Sequence, residues 1–192
     1  KKIISVVAVL CCANSTLAQL YPAHTVVVII ENKTYAAIVG NLSAPYINGL
    51  LANSHTASFT QSISSTHPSQ PNYLMLFSGS TQGVTDDYVP ANLPFTAPNL
   101  GAEVVNAGLT FIGYSEDLNY TGSTDSIVNK YVRKHNPWAH WQGSGINGIS
   151  PNANRSFNDF PSDYNQLPTV SFVVPNLDHD VHDGTIAAGD TW

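Results

Sequence analysis

Four short stretches of this chain combine side chains that can attack, ligate or hold an anion. In His67-Pro68-Ser69-Gln70-Pro71-Asn72-Tyr73 two prolines bracket a serine just ahead of a helix predicted from Pro71. Proline fixes φ and suits the first helical turn. A hydroxyl there sits at a helix N-terminus, where free amide N–H groups and the dipole favour a phosphate, and Asn72 adds a side-chain donor for a phosphate oxygen. Asp178-His179-Asp180-Val181-His182-Asp183 sets five oxygen or nitrogen ligands in six positions, a density that suits a metal. On an extended loop Asp178, Asp180 and His182 share one side. Glu31-Asn32 follows an apolar run at what would be a strand's carboxyl end, where α/β sheets bind ligands, so an acid there is placed to hold a divalent metal. Tyr131 to Pro137 gathers Arg133, Lys134 and His135, candidates for holding a substrate's negative charge.

Each stretch also has a plainer reading. Glu31 would cap a turn, Ser69 would belong to an ordinary proline-rich turn, the Asp/His loop would be a solvated acidic loop, and Arg133-Lys134 would be a surface pair. His24, His55 and His140 have no sequence neighbours to work with and read as structural. Asp86-Asp87 and Glu116-Asp117 read as solvated, although a strand predicted before Glu116 would bring it towards the site. Asp190 reads as a capping residue.

These stretches must be positioned by strands and helices in alternation. Thr25-Val-Val-Val-Ile-Ile30 is a β-branched run of the kind expected for a strand buried on both faces. Ser43 as N-cap, with Pro45 just inside, opens a predicted helix that ends near Asn53. His55 to Gln61 reads as a strand, Pro98 to Ala107 as a helix stopped by Gly108, and Leu109 to Tyr114 and Thr169 to Val174 as further strands. The pattern predicts an α/β fold with a mostly parallel central sheet flanked by helices. Residues 117–167, rich in aromatics, Asn and Gly, read as a loop-rich insertion over one end of the sheet within a single domain spanning 19–192.

Composition narrows the setting. Lys1-Lys2, the apolar Ile3 to Leu10 and the small residues up to Ala18 have the order of a secretory signal peptide, residues 1–18. Cys11 and Cys12 both fall inside it, so the mature chain is expected to fold without disulfides. Its five Lys and Arg stand against 13 Asp and Glu, a net charge of -8, which excludes a nucleic-acid partner. No apolar run approaches the roughly 20 residues of a spanning helix. Sequons at Asn32, Asn41, Asn119 and Asn154 fit a secreted glycoprotein. Met75 is the only methionine, so an initiating residue is expected upstream.

Taken together, Glu31-Asn32, His67 to Tyr73, Tyr131 to Pro137 and Pro175-Asn-Leu-Asp-His-Asp-Val-His-Asp183 resemble the phosphoesterase family of secreted acid phosphatases and bacterial phospholipases C, with order and spacing closest to the fungal secreted acid phosphatases. The resemblance implies a fold similar to the alkaline phosphatase superfamily, with a hydroxyl nucleophile and divalent metal at the carboxyl end of the sheet. It implies Glu31, Asn32, Asp180 and His182 as metal ligands, and Ser69 as nucleophile. Members of the family continue past Trp192 into a strand with an acidic pair and a late histidine, so it also implies a chain truncated at its C-terminus.

The expected reaction is hydrolysis of a small phosphomonoester through Ser69, at acid pH. The hydroxyl would be activated by metal at Glu31 or by a base such as His182, with Asn72, Arg133, Lys134 and His135 binding substrate. The alternatives are a phospholipase C-like phosphodiesterase, a secreted binding module without catalysis, or an inactive fragment. A serine esterase is disfavoured because Ser69 lacks a Gly-x-Ser-x-Gly elbow.

Overall fold

The computed structural model describes residues 22–192, so the expected signal peptide over 1–18 and both cysteines lie outside the described residues. In chain order the strands are β1 (Thr25–Val28), β2 (Phe111–Ser115), β3 (Ile127–Val128), β4 (Tyr131–Val132), β5 (Asn154–Ser156) and β6 (Val170–Val174). The helices are α1 (Tyr35–Ile38), α2 (Pro45–Leu51), α3 (Ser69–Ser78), α4 (Leu100–Asn106) and α5 (Ile186–Thr191). Four strands form one sheet in the order β1-β6-β2-β5, with every pairing parallel, and β3 and β4 form a small antiparallel hairpin. The expected α/β fold with a parallel sheet is therefore present. Because all four strands run the same way, the residues after β1, β2 and β6 emerge along one edge.

The strand buried on both faces is β6, not β1. β6 is paired on both sides and Ser171 to Val174 are buried, whereas β1 lies at the edge of the sheet that the described residues form. Val27 and Ile29 pack against the core, but Val26, Val28 and Ile30 on the other face are 39, 50 and 37% exposed. An unbroken β-branched run thus marks a strand but not its place in the sheet. His55 to Gln61 forms no strand: it finds no pairing partner, and Phe59 is exposed.

Helix α3 begins at Ser69, two residues before the predicted start. Pro71 is tolerated as its third residue because the first four amides of a helix have no carbonyl partner in any case, and Gly79 at φ 69° ends it in the left-handed region. Asn99 caps α4 by accepting from Ala102 N. Ser43 does not cap α2. That role falls to Asp190, whose two carboxylate oxygens accept from Tyr46 N and Ile47 N at 3.0 and 2.8 Å.

Residues 117–167, expected as a loop-rich insertion over one end of the sheet, supply β5 and much of the core. Trp138 and Trp141 are fully buried and pack with Phe77, Phe111 and Phe172, whose rings lie 5.6 to 6.0 Å apart. A side chain of this size contributes about 1.5–3 kcal/mol when fully buried. Trp138 lies flat over Gly113 of β2, where a Cβ would come within 2.1 Å of the indole, and its Nε1 donates to Asn154 Oδ1 at 2.8 Å. That bond also revises one sequon: Asn154 is buried, with Nδ2 donating to Ser123 O and Gln142 Oε1, so it offers no amide for a glycan in the folded chain. Among the described residues no helix is long and apolar enough to cross a membrane.

Candidate active site

The carboxylate of Glu31, three residues beyond β1, is the hub of a cluster at the carboxyl edge of the sheet. Ser69 Oγ, on the first residue of α3, donates to it from 3.3 Å at Oε1 and 3.2 Å at Oε2. His182 Nδ1 lies 3.2 Å and His135 Nε2 2.8 Å from Oε1. His135 Nδ1 is 3.5 Å from Asp180 Oδ2, while Asp180 Oδ1 accepts from His182 N at 2.8 Å. A main-chain bond from Glu31 N to Asp180 O at 2.9 Å joins the end of β1 to the loop after β6. Thus Glu31, Ser69, His135, Asp180 and His182, spread over 152 positions of sequence, meet at one place.

Several of these contacts are close without being aligned. Although His135 Nε2 is 2.8 Å from a carboxylate oxygen, neither ring nitrogen makes a directed hydrogen bond, and Asp180 Oδ2 and Tyr73 Oη are likewise buried without a partner. Ligand atoms of Glu31, His135 and Asp180 all lie within 4.8 Å of one another. Unsatisfied buried oxygens and imidazole nitrogens facing a common point are costly unless an ion or water takes them up, and two carboxylates with an imidazole suit a divalent cation. The residues present therefore fit a metal, with His135 in the set where sequence reasoning had His182. Asn32 lines the adjoining cavity with its backbone at φ 60°.

Electrostatics follow the same geometry. Burial pushes Glu31 up, but hydrogen bonds and charge from His135, then His182, outweigh it and hold the carboxyl below its ordinary value. Asp180 goes the other way: burial raises it, and the bond from His182 N only partly offsets that. Tyr73 is raised well above its usual range by burial and by the two carboxylates, so its phenol keeps its proton. Its ring stacks on His135 with centroids 4.9 Å apart.

The loop from Asn176 to Asp183 is held tightly. Val181, between Asp180 and His182, has φ 72° and is fully buried, a rare conformation for a β-branched residue and one that clusters at functional sites. Gly189 makes room for it, since a Cβ there would lie 2.3 Å from Val181 Cγ2 and 2.7 Å from His179 O. Behind the loop, Glu116 accepts from Asn176 N and contacts His179 Nδ1, each at 2.9 Å. Asp178 pairs with Lys130 at 3.0 Å, away from the cluster.

The Arg133-Lys134-His135 group does not act as one. Arg133 is buried and donates to Thr124 O at 2.9 Å, Lys134 pairs with Asp87 at 2.8 Å, and His135 faces the two carboxylates. Asn72 Oδ1 accepts from Ser65 N, which leaves the amide nitrogen as its donor. A cavity of about 510 Å³ opens beside Ser69, lined by Glu31, Asn32, Asn72, Asp87 and His182, and its cation is Lys33. Sequence reasoning gave no role to Lys33 or Tyr73 and read Asp87 as solvated. A phenol in the same motif as Ser69 and a lysine next to Glu31-Asn32 were the available signals.

A parallel α/β sheet with a hydroxyl, two carboxylates and two imidazoles converging at its carboxyl edge defines a site of the serine–carboxylate–imidazole class. The family model that matches residues 50–192 is that of the phosphoesterase family, and the chain belongs to that family. It is similar to a phosphatidylinositol-3-phosphatase of Mycobacterium tuberculosis, 48% identical over 172 residues covering 88% of this chain and 55% of that protein. It is also similar to a phosphate-repressible acid phosphatase of Penicillium chrysogenum, 30% identical over 85% of this chain and 40% of that protein. An acid phosphatase of Aspergillus fumigatus is 33% identical over 66% of this chain and 30% of that protein. The chain thus spans about half the length, or less, of these relatives. No solved structure matches it.

Proposed function

We propose that this chain carries the nucleophile half of a secreted acid phosphatase that hydrolyses small phosphomonoesters through Ser69. The observation that supports it most is the Ser69 hydroxyl 3.2 Å from a carboxylate held ionised by two imidazoles. Ser69 Oγ gives its proton to His182 and attacks phosphorus, the bond to the leaving oxygen breaks, and the leaving alcohol takes that proton from His182. Water then attacks the phosphoserine, breaking the Oγ–P bond, and releases inorganic phosphate with Ser69 reprotonated. Glu31 accepts the hydroxyl's hydrogen bond and orients it, His182 is steered by Glu31, and Asn72 and Lys33 meet the phosphoryl oxygens. A divalent metal held by Glu31, His135 and Asp180, with Asn32 beside them, would supply Lewis-acid polarisation and lower the hydroxyl's pKa when bound. The acid range accords with a Glu31 that stays ionised below its ordinary value.

The test is turnover of p-nitrophenyl phosphate near pH 5 by the protein at its natural length. Ser69→Ala is expected to lower kcat by at least about a thousandfold; an unchanged rate removes Ser69 from the role. Absence of turnover in the wild type favours a binding module instead.

A second reading, a phosphoinositide headgroup as substrate, is favoured by the 48% identical relative's name. A second cavity of about 340 Å³ shares Glu31, Asn32 and Asn72 and adds the apolar Ile30, Met75 and Leu76. A kcat/KM for short-chain phosphatidylinositol 3-phosphate no higher than for p-nitrophenyl phosphate rejects it. Secretion and glycans at Asn41 or Asn119 are checked by the mass of protein recovered from culture medium.

A further inference from the structure

Ser69 is held in place through its neighbour. Gln70 is buried beneath the nucleophile, and every polar group it has beyond its own helix carbonyl is used. Its backbone N donates to Asp87 Oδ1 at 2.9 Å, and its amide nitrogen donates to Asp86 O at 3.0 Å and Tyr88 O at 2.7 Å. Since both amide hydrogens are taken by carbonyls, Oε1 must accept, and it lies 3.1 Å from His140 Nε2. The other ring nitrogen, Nδ1, faces the main-chain carbonyls of Asn136 and Pro137 at 3.3 and 3.2 Å, so the ring is wedged between its own turn and Gln70, and burial lowers its pKa to about 4. His140 is fully buried, stacked on Phe95, and belongs to the 3-10 turn that directly follows His135. Asp87, meanwhile, uses its other oxygen for Lys134, the residue before His135.

We infer that Gln70, anchored by Asp87 and His140, is a positioning residue that fixes the Ser69 hydroxyl relative to the Glu31–His135 cluster. Resting on the reading of Ser69 as nucleophile, this assigns a role to Gln70, Asp87 and His140. Two separate ties run from the start of α3 to the segment carrying His135: Gln70 to His140, and Gln70 N through Asp87 to Lys134. Together they set a distance that neither Ser69 nor His135 sets by itself. A displacement of about 1 Å at a reacting atom costs up to roughly a hundredfold in rate, so bonds one residue from the nucleophile are well placed to govern it.

The experiment compares wild type, Gln70→Glu and Asp87→Ala at natural length with p-nitrophenyl phosphate, and traps the phosphoenzyme by acid quench. Gln70→Glu keeps the shape but turns a donor pair into an acceptor facing two carbonyls. Asp87→Ala removes a half-exposed anchor and spares the core. Both are expected to lower kcat ten- to a hundredfold with KM within about twofold, and to slow label incorporation at Ser69. Should Gln70→Glu fail to fold, Asp87→Ala decides alone. Unchanged kcat, or a raised KM at constant kcat, overturns the inference, the latter by making Asp87 a substrate contact. Label at Ser69 appearing at the wild-type rate overturns the inference alone, whereas label on another residue overturns the nucleophile assignment and the inference with it.

Discussion

The Glu31 carboxylate lies within 3.3 Å of one hydroxyl and two imidazoles, and its charge state decides whether those groups stay together. Burial alone would raise it, yet the two histidines bring it below the ordinary 4.5. As pH falls through that lowered value, the carboxyl gains a proton, stops accepting from Ser69 and releases the imidazoles. The acid limb of kcat/KM is therefore expected below pH 4.5. Glu31→Gln, which cannot ionise, is expected to lose at least about a hundredfold in kcat/KM and that limb as well, as a pH–rate profile of both proteins would show. A limb unmoved by the substitution would assign it to another group.

At the level of elements, the single-turn 3-10 helix over Arg133–His135 explains why three adjacent residues do three different things. With three residues per turn, neighbours face about 120° apart, so a cationic cluster in sequence is dispersed by its own backbone into a buried guanidinium, an ion pair and a cluster imidazole. The loop after β6 depends in the same way on α5. Gly189→Ala would drive a Cβ into Val181 and the His179 carbonyl, shifting Asp180 and His182. It is expected to cost about 1–3 kcal/mol of stability along with most of the activity. Gly49→Ala, in α2 with open space around it, should raise stability by about 0.5–1 kcal/mol and leave the rate alone. Thermal midpoints and kcat of the two variants check this.

For the molecule as a whole, the unpaired atoms of His135 and Asp180 beside Glu31 fit a divalent cation, which on binding would stabilise the native state. Binding at a hundred times Kd adds about 2.7 kcal/mol, so Mg²⁺, Mn²⁺ or Ca²⁺ is expected to raise Tm and a chelator to lower it, with both effects lost in Asp180→Asn. A Tm indifferent to metal would assign those atoms to bound water. What was legible in the sequence were local features: β2, β6 and α4, the stop at Gly108, and the motifs carrying Glu31, Ser69 and Asp180. Asp190, too, was rightly read as a cap. What was not legible is set by pairing across long stretches of chain. The edge position of β1, the want of a partner for His55 to Gln61, the Asp87–Lys134 pair and the place of His135 against Glu31 all depend on which distant segment arrives alongside, and no window of sequence holds that information.

One such pairing bears on how the protein is made. Among the described residues β1 joins the sheet by lying against β6, Thr25 beside Val170, and α2 receives its cap from Asp190, 144 residues downstream of Tyr46. Ribosomes add about 5–20 residues each second, so for roughly seven to thirty seconds the N-terminal strand and helix are without the partners that complete them. In that interval Val26, Val28 and the other apolar residues of the segment stand open to whatever meets the nascent chain. Chaperones that bind extended apolar segments therefore have their longest opportunity at the first strand synthesised, which is also the strand that leads into Glu31.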